Sequence, residues 1–500
     1  MAQTSRKILD MFIIGGGING TGIANDAAGR GLTVGLCEQG DLAGATSSAS
    51  SKLIHGGLRY LEHHEFRLVG EALREREVLL HKAPHIIWPL RFILPHRSHL
   101  RPAWMIRAGL FLYDHLGKRK KLPGSRGVRF ADDSPLKPEM MRGFEYSDCW
   151  VDDARLVVLN ALQARENGAE ILVRTRCTGA REEKGTWRIE LEDVRTGERF
   201  ERHARNLVNA AGPWVEQVVR EQAARTSLYS IRMIQGSHIV VPRLNADDRA
   251  YILQNSDRRI VFVLPYEDDF SLVGTTDRRY RGDPTQVIIN EEEIDYLLGV
   301  VNEHFRRQLD RRDVITSFSG VRPLCDDESA DPSAMTRDYT LALDDSGAPL
   351  LSVFGGKITT YRKLAEAALK LLTPSLPGMG PSWTADATLP GGDIVSQAHF
   401  MASLLHDYPW LGEERARRFA RSYGSLCLRF LENAKSPDDL GQDFGAGFTA
   451  AEADYLIDHE WALSAEDILW RRTKLGLRLT PRQVEALKQH TEKHRHGLAA

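Results

Sequence analysis

The stretch Phe12-Ile13-Ile14-Gly15-Gly16-Gly17-Ile18-Asn19-Gly20 constrains the fold more than any other part of the chain. Its apolar start predicts a buried parallel strand, and residues 18–30 predict a helix whose first turn is too tight for side chains. Gly15, Gly17 and Gly20 spell G-x-G-x-x-G. In such a unit the first glycine makes the turn, the second lets backbone approach a pyrophosphate, and the third lets helix pack on strand. The free amides and the dipole of the helix attract that negative charge. Glu38 stands 23 residues after Gly15, at the end of the apolar run 32–37. A carboxylate there accepts hydrogen bonds from ribose hydroxyls and disfavours a 2'-phosphate. These residues predict a dinucleotide seat that admits NAD and FAD equally.

At 500 residues the chain exceeds one ordinary core, so two or three domains are expected. Hydrophobic content of 42% and charged content of 27% are those of a soluble globular protein. No apolar run reaches bilayer length, since residues 110–113 are bracketed by Arg107 and Asp114. Arg6 and Lys7 precede a short apolar stretch, as in a secretory signal, but that stretch runs straight into the glycine turn. Cytoplasmic synthesis without cleavage is therefore expected. The five cysteines are scattered and lack a C-x-x-C pair, which predicts reduced packing thiols and no metal site. Lys plus Arg total 66 against 68 for Asp plus Glu, so no global field attracts nucleic acid. Residues 91–121 depart from that balance, with eight basic side chains against the single acid Asp114.

Strand-like runs at 11–14, 32–37, 169–173, 206–210 and 350–354 suit a nucleotide-binding sheet but lie far apart, so that domain is discontinuous. Alternating stretches at 237–242, 259–264 and 270–274 predict an antiparallel sheet facing the substrate. Leu389-Pro390-Gly391-Gly392 breaks the pattern, and helical periodicity follows. Thr449 with Glu452 and Thr480 with Gln483 both fit a capping box. The chain thus reads as an α/β protein: a discontinuous Rossmann-like domain (1–75, 150–230 and 320–375), an antiparallel substrate domain (76–149 and 231–319) and a helical C-terminal domain (389–500).

Three later segments bear on the cofactor. Residues 45–60, ATSSASSKLIHGGLRY, offer small hydroxyls for phosphate or ribityl oxygens, and Gly56-Gly57 lets backbone pass close to a flat ring. Residues 207–214, LVNAAGPW, end an apolar strand in small residues and a turn. Residues 351–362, LSVFGGKITTYR, repeat strand, glycine turn and helix start, so a second helix N-terminus can meet a polar ring edge.

With these segments in place the chain resembles the FAD-dependent, quinone-linked glycerol-3-phosphate dehydrogenases of the D-amino-acid-oxidase-like flavoprotein superfamily. GGGINGTGIANDAAGRG, ATSSASSKLIHGGLRYLE, EYSDCWVDDARLV, NAAGPW, QGSHIV, GTTD, SGVRPL, TRDY, FGGKITTYRKLAE and DHEWALSAEDILWRRTK are similar to that family's segments in the same order, across nearly the whole chain. HGGLRY, SGVRPL and FGGK in this order are far more specific than the glycine fingerprint.

The resemblance implies oxidation of sn-glycerol 3-phosphate to dihydroxyacetone phosphate by hydride transfer to non-covalent FAD, with electrons leaving to a membrane quinone. It implies a flavin seat from the first turn (Gly15, Gly17, Ile18, Asn19 and Gly20, with Glu38) and from the Ser-rich stretch (Thr46, Ser47, Ser48, Ser51, Lys52, His55, Gly56 and Leu58). Cys177, then Ala211, Gly212 and Trp214, and finally Gly355, Gly356, Lys357 and Thr359 complete it. For the phosphate dianion, fixed cations that reach two oxygens are required, which points to Arg59, Arg322 and Arg337. Proton removal calls for histidine, His238 before His55. Lys357 is placed to meet negative charge at the reduced ring, and Tyr60, Thr276 and Asp277 to orient substrate.

A quinone resides in lipid, so the resemblance implies a protein peripheral to the cytoplasmic face of the inner membrane. Segment 97–121 offers the means: Trp104, Ala108, Phe111 and Leu112 share one helical face and a basic run follows, although a core helix with a solvated end has the same pattern. The resemblance also admits a homodimer. Three rivals stand beside this reading: a glycerol-3-phosphate oxidase that uses oxygen, an amine or amino-acid oxidase, and a non-catalytic flavin scaffold.

Overall fold

The computed structural model describes residues 8–97, 102–117, 122–257, 259–325 and 338–499. The first sheet carries five parallel strands in the order Leu350–Phe354, Arg199–Asn209, Ile8–Ile14, Val34–Glu38 and Glu170–Val173. These are the five runs expected of a nucleotide-binding sheet. Thr340–Asp344 adds an antiparallel edge, and the hairpin Thr175–Glu183/Thr186–Asp193 pairs antiparallel with Arg199–Asn209. A parallel strand is covered on both faces, which is why Met11, Phe12 and Ile13 are all fully buried. Helices Ile18–Gly29 and Tyr361–Leu372 cover one face through Ile23, Ala24, Ala27, Leu364 and Leu369.

The second sheet is antiparallel but for one strand pair. Its main path runs Arg278–Arg279, Ile231–Pro242, Phe270–Gly274, Ile260–Tyr266, Ala250–Gln254, Ile87–Pro95, Arg142–Val151 and Leu53–Ile54. Thr316–Cys325 joins it beside Ile231–Pro242. Residues 53–54 and 320–325, expected with the nucleotide domain, therefore belong to this sheet. The chain crosses between sheets on either side of them, which brings loop 45–52 and strand 316–325 to the junction. Helix Glu291–His304 packs on one face through Leu297, Val300 and Val301.

Helices dominate from Gln397 onward, with one small ribbon, Asp443–Gly445 with Phe448–Thr449. This unit shares a core with the rest of the molecule: Phe419, Leu456 and Leu487 cluster with Leu156 and Val158 of helix Asp153–Glu166. Buried ion pairs Arg155–Glu460 and Arg472–Asp41 reinforce the junction. The capping box at Thr480 forms, its amide 2.9 Å from Gln483 Oε1. The one at Thr449 does not. Glu452 is fully buried, where Arg418 and the Tyr423 hydroxyl claim its carboxylate, and Thr449 Oγ1 is left without a partner. All five cysteines are buried free thiols.

Candidate active site

The glycine turn is built as the sequence predicts. Gly15 takes φ +114°, a region that favours glycine, and a Cβ there would stand 2.5 Å from the Ala210 carbonyl oxygen. A Cβ on Gly20 would fall 1.9 Å from the Gly15 oxygen, so only glycine lets the helix close on the strand. The helix N-cap is Gly17, with no side-chain cap. Its first amide is met instead by a neighbouring loop, Ile18 N donating to Ser47 Oγ at 3.0 Å. Glu38 accepts from the amides of Gly16 and Gly40, both at 2.7 Å. Burial raises its pKa, and those two amides draw it back down. Asn19 Nδ2 donates to the Gly355 carbonyl at 3.0 Å and ties the first turn to the second, 336 residues later.

These parts enclose a cavity of about 1060 Å³, at the upper end of the range for ligand pockets. Gly15, Gly17, Ile18, Asn19, Glu38, Thr46, Ser47, Cys177, Ala211, Gly212, Trp214, Gly355 and Gly356 line it, all named from sequence. Arg174, Arg176, Gln217, Met233, Thr285 and Arg471 also line it and were not foreseen. Arg471 comes from the C-terminal unit, where its place in the shared motif WRRTK was the only signal. The fit to a dinucleotide is chemical as well as volumetric. The floor is a glycine turn at a helix N-terminus, one wall carries an acid, and Asn19 Oδ1 is buried without a partner.

The Ser-rich stretch divides between cavity and scaffold. Thr46 Oγ1 donates to the Val321 carbonyl at 2.6 Å and pins the loop to the second sheet. Ser48 bonds locally to the Ala45 carbonyl. Lys52 is turned inward, 2% exposed, with Nζ 2.7 Å from the fully buried Asp153. The His55 amide donates to Thr359 Oγ1 at 3.3 Å, joining this stretch to the second glycine turn. The Gly56 amide donates to the Tyr113 hydroxyl at 2.8 Å, and its side-chain position faces Leu73 and Tyr113. Leu58 packs into the core of the second sheet.

His238 and Arg322 lie on adjacent strands, where Ile231–Pro242 pairs with Thr316–Cys325. Glycine makes room for both: a Cβ on Gly274 would sit 2.1 Å from His238 Cδ2, and one on Gly236 2.1 Å from an Arg322 nitrogen. The His238 ring stacks on Phe318 at 4.9 Å, its Nε2 lies 3.0 Å from Ser51 Oγ, and its Nδ1 is buried without a partner. Burial first, then Arg322 and Lys52, push its pKa down to about 3, so the imidazole is neutral at working pH. Arg322 donates to Asp277 at 2.5 Å, to Thr275 Oγ1 at 3.0 Å and to the Thr276 carbonyl at 3.1 Å, and keeps a quarter of its side chain exposed.

Arg59 is half-buried and makes no hydrogen bond or ion pair with any described residue. Beside it Tyr60 lies under the Lys357 ammonium, 3.9 Å from the ring centroid. The Thr276 hydroxyl is engaged elsewhere, donating to Glu293 at 2.6 Å and accepting from Ser237 N at 3.0 Å. Arg337 lies outside the described residues.

Two family descriptions match the chain: FAD dependent oxidoreductase over residues 10–362, and the C-terminal domain of alpha-glycerophosphate oxidase over residues 382–494. The chain is 62% identical to a glycerol-3-phosphate dehydrogenase of Pseudomonas aeruginosa, covering 97% of this chain and 95% of that protein. It is 61% identical to the aerobic glycerol-3-phosphate dehydrogenase of Escherichia coli, covering 96% of each. Among solved structures, the glycerol-3-phosphate dehydrogenase from Bacillus halodurans complexed with FAD aligns with a TM-score of 0.76 at 26% identity, covering 98% of this chain and 95% of that one. The glycine turn, the cavity above it and these full-length similarities place the chain in the family of FAD-dependent oxidoreductases that contains the glycerol-3-phosphate dehydrogenases.

Proposed function

We propose that this enzyme oxidises sn-glycerol 3-phosphate to dihydroxyacetone phosphate and passes the electrons to a membrane quinone. The observation that carries the reading is similarity above 60% over nearly the whole chain to two proteins named for that dehydrogenation. Bound FAD supplies the two-electron acceptor, held without a covalent link by the glycine turn, Glu38 and the turn at Gly355 and Gly356. The protein's own residues do the rest. Arg322 is paired with Asp277 and keeps a quarter of its side chain exposed, so its outward nitrogens can meet an arriving dianion while Asp277 holds its fork in place. Arg59, which pairs with none of the described residues, offers its charge to the same phosphate, and Arg337 is the third cation of the reading. His238 takes the proton released from the alcohol at its unpartnered Nδ1: a phosphate dianion bound at Arg322 would offset one of the charges that lower its pKa and so raise its basicity when substrate arrives. Ser51 orients the ring through Nε2. Lys357, beside the second glycine turn, would offset the negative charge that a bound flavin gains when reduced.

Quinone reduction requires contact with lipid. No helix among the described residues is long and apolar enough to cross a membrane. Helix Ala103–Leu116 is amphipathic in an unusual way: it buries Leu110 and Tyr113, yet leaves Trp104 72% and Phe111 57% exposed, with Met105 and Leu112 beside them. An ordinary core helix hides such side chains, and this face supports seating in an anionic headgroup layer on the cytoplasmic side.

An anaerobic absorption spectrum tests the reading: glycerol 3-phosphate should bleach the flavin and amino acids should leave it oxidised. Turnover with a soluble quinone under anaerobic conditions should exceed peroxide formation in air. The reverse ranking establishes the oxidase alternative. Arg322→Ala should raise KM and lower the rate with flavin content retained, and unchanged kinetics remove Arg322 from the site.

A further inference from the structure

Helices Ala450–Glu460 and Pro481–Ala499 run side by side in the same sense, with Asp454 level with His490 and Asp458 level with His494. Residues four apart share a helix face, so four polar side chains converge. His490 Nε2 lies 2.7 Å and His494 Nδ1 3.1 Å from one oxygen, Asp454 Oδ1. The three candidate ligand atoms all fall within 4.8 Å of one another. A tetrahedral ion with bonds of about 2.05 Å holds its ligand atoms roughly 3.3 Å apart, so small side-chain shifts complete three corners.

The orientation of His494 is the second observation. Its far nitrogen, Nε2, lies 2.9 Å from Asp458 Oδ1. A carboxylate on that nitrogen holds the proton there and turns the Nδ1 lone pair towards Asp454 and His490, which is how proteins support a ligating imidazole. Packing fixes both rings. Phe444 meets His490 edge-on at 5.2 Å, and the two imidazoles stack at 6.2 Å and 23°. The four side chains keep 22–35% exposure, enough for an ion to enter and for water to take the fourth corner.

We infer that Asp454, His490 and His494 form a binding site for a late first-row divalent cation of the zinc type, with Asp458 positioning His494. Two imidazole nitrogens and one carboxylate suit zinc, nickel or cobalt rather than magnesium or calcium. An ion held there ties the C-terminal helix to helix 450–460, whose Glu460 is itself buried against Arg155. The site acts as a clamp on the C-terminal unit and takes no part in the redox reaction.

Untagged holoenzyme, stripped with EDTA and exchanged into metal-free buffer, is titrated calorimetrically with Zn²⁺ and with Mg²⁺. Metal retained after desalting is counted by elemental mass spectrometry. The expected result is one Zn²⁺ per chain, bound at least about 100-fold tighter than Mg²⁺, with a higher Tm. The double variant His490→Ala/His494→Ala should keep its flavin absorbance and lose the ion. Asp458→Asn should keep the stoichiometry and weaken binding by about 10–100-fold. Absence of retained zinc in the wild-type protein, or equal retention by the flavin-loaded double variant, overturns the inference.

Discussion

Replacing Gly20 by alanine tests the flavin seat at its tightest point. The added methyl would lie 1.9 Å from the Gly15 carbonyl oxygen and 3.4 Å from Ala210 Cβ. The first contact is backbone, which has no rotamer to yield, so helix Ile18–Gly29 must draw back from the turn by roughly 1 Å to restore a separation near 3 Å. The direct overpacking penalty is about 1–3 kcal/mol. The functional penalty is larger, because a hydrogen bond of about 2.9 Å stretched by 1 Å is lost. Two amide contacts to a charged phosphate, at about 1.5–3 kcal/mol each, amount to about 3–6 kcal/mol. That loss weakens FAD affinity by about 10²–10⁴-fold. The assay is fluorescence titration of deflavinated protein with FAD, alongside thermal unfolding. Gly299→Ala is the control: Gly299 lies inside helix Glu291–His304, is exposed, and beyond its own helix backbone has no heavy atom within 4 Å of its Cβ position. It should bind FAD normally and gain about 0.5–1 kcal/mol. Gly20→Ala protein that holds stoichiometric FAD at wild-type affinity would refute the reasoning.

Three further outcomes follow from the same structure. Burial first, then Arg155, lowers the pKa of the fully buried His85 to about 3, and both its ring nitrogens lack partners. The folded state therefore binds fewer protons than the unfolded one as pH falls from about 6.5 towards 3, and stability drops by about 1.4 kcal/mol per pH unit for that group. His85→Leu should flatten the fall in unfolding midpoint between pH 6 and pH 4, and parallel curves would refute the assignment. Glu460→Ala strands the guanidinium of Arg155, buried at 0% exposure, and should cost about 3–5 kcal/mol in urea unfolding. The double variant Arg155→Met/Glu460→Leu should be more stable than that single one, and a larger loss would contradict the desolvation argument. Trp104→Glu with Phe111→Glu should reduce sedimentation with anionic liposomes by at least 10-fold, at about 1.5–3 kcal/mol per apolar side chain, and leave the Tm unchanged. Undiminished binding would exclude helix Ala103–Leu116 as the contact.

The parts readable from the chain alone are those encoded by spacing. Strand period, a glycine turn and an acid 23 residues on depend on neighbours within one βαβ unit, so the places of Gly15, Gly20 and Glu38 follow from local order alone. The parallel strands and the antiparallel stretch 270–274 were legible for the same reason. What a charged or polar side chain meets was not legible, because its partner is chosen by folding across tens to hundreds of residues. Lys52 falls to Asp153, the Thr276 hydroxyl to Glu293, and Glu452 to Arg418 rather than to the cap at Thr449. Burial decides the rest. Sequence names His238, but only its burial beside Phe318, with Arg322 and Lys52 nearby, lowers its pKa far below that of a free imidazole. Sequence lists His490 and His494 on one helix, but only docking against Asp454 and Asp458 makes them a cluster. Local geometry is written in short-range order, whereas charge state and partnership are set by the field and packing of the assembled molecule.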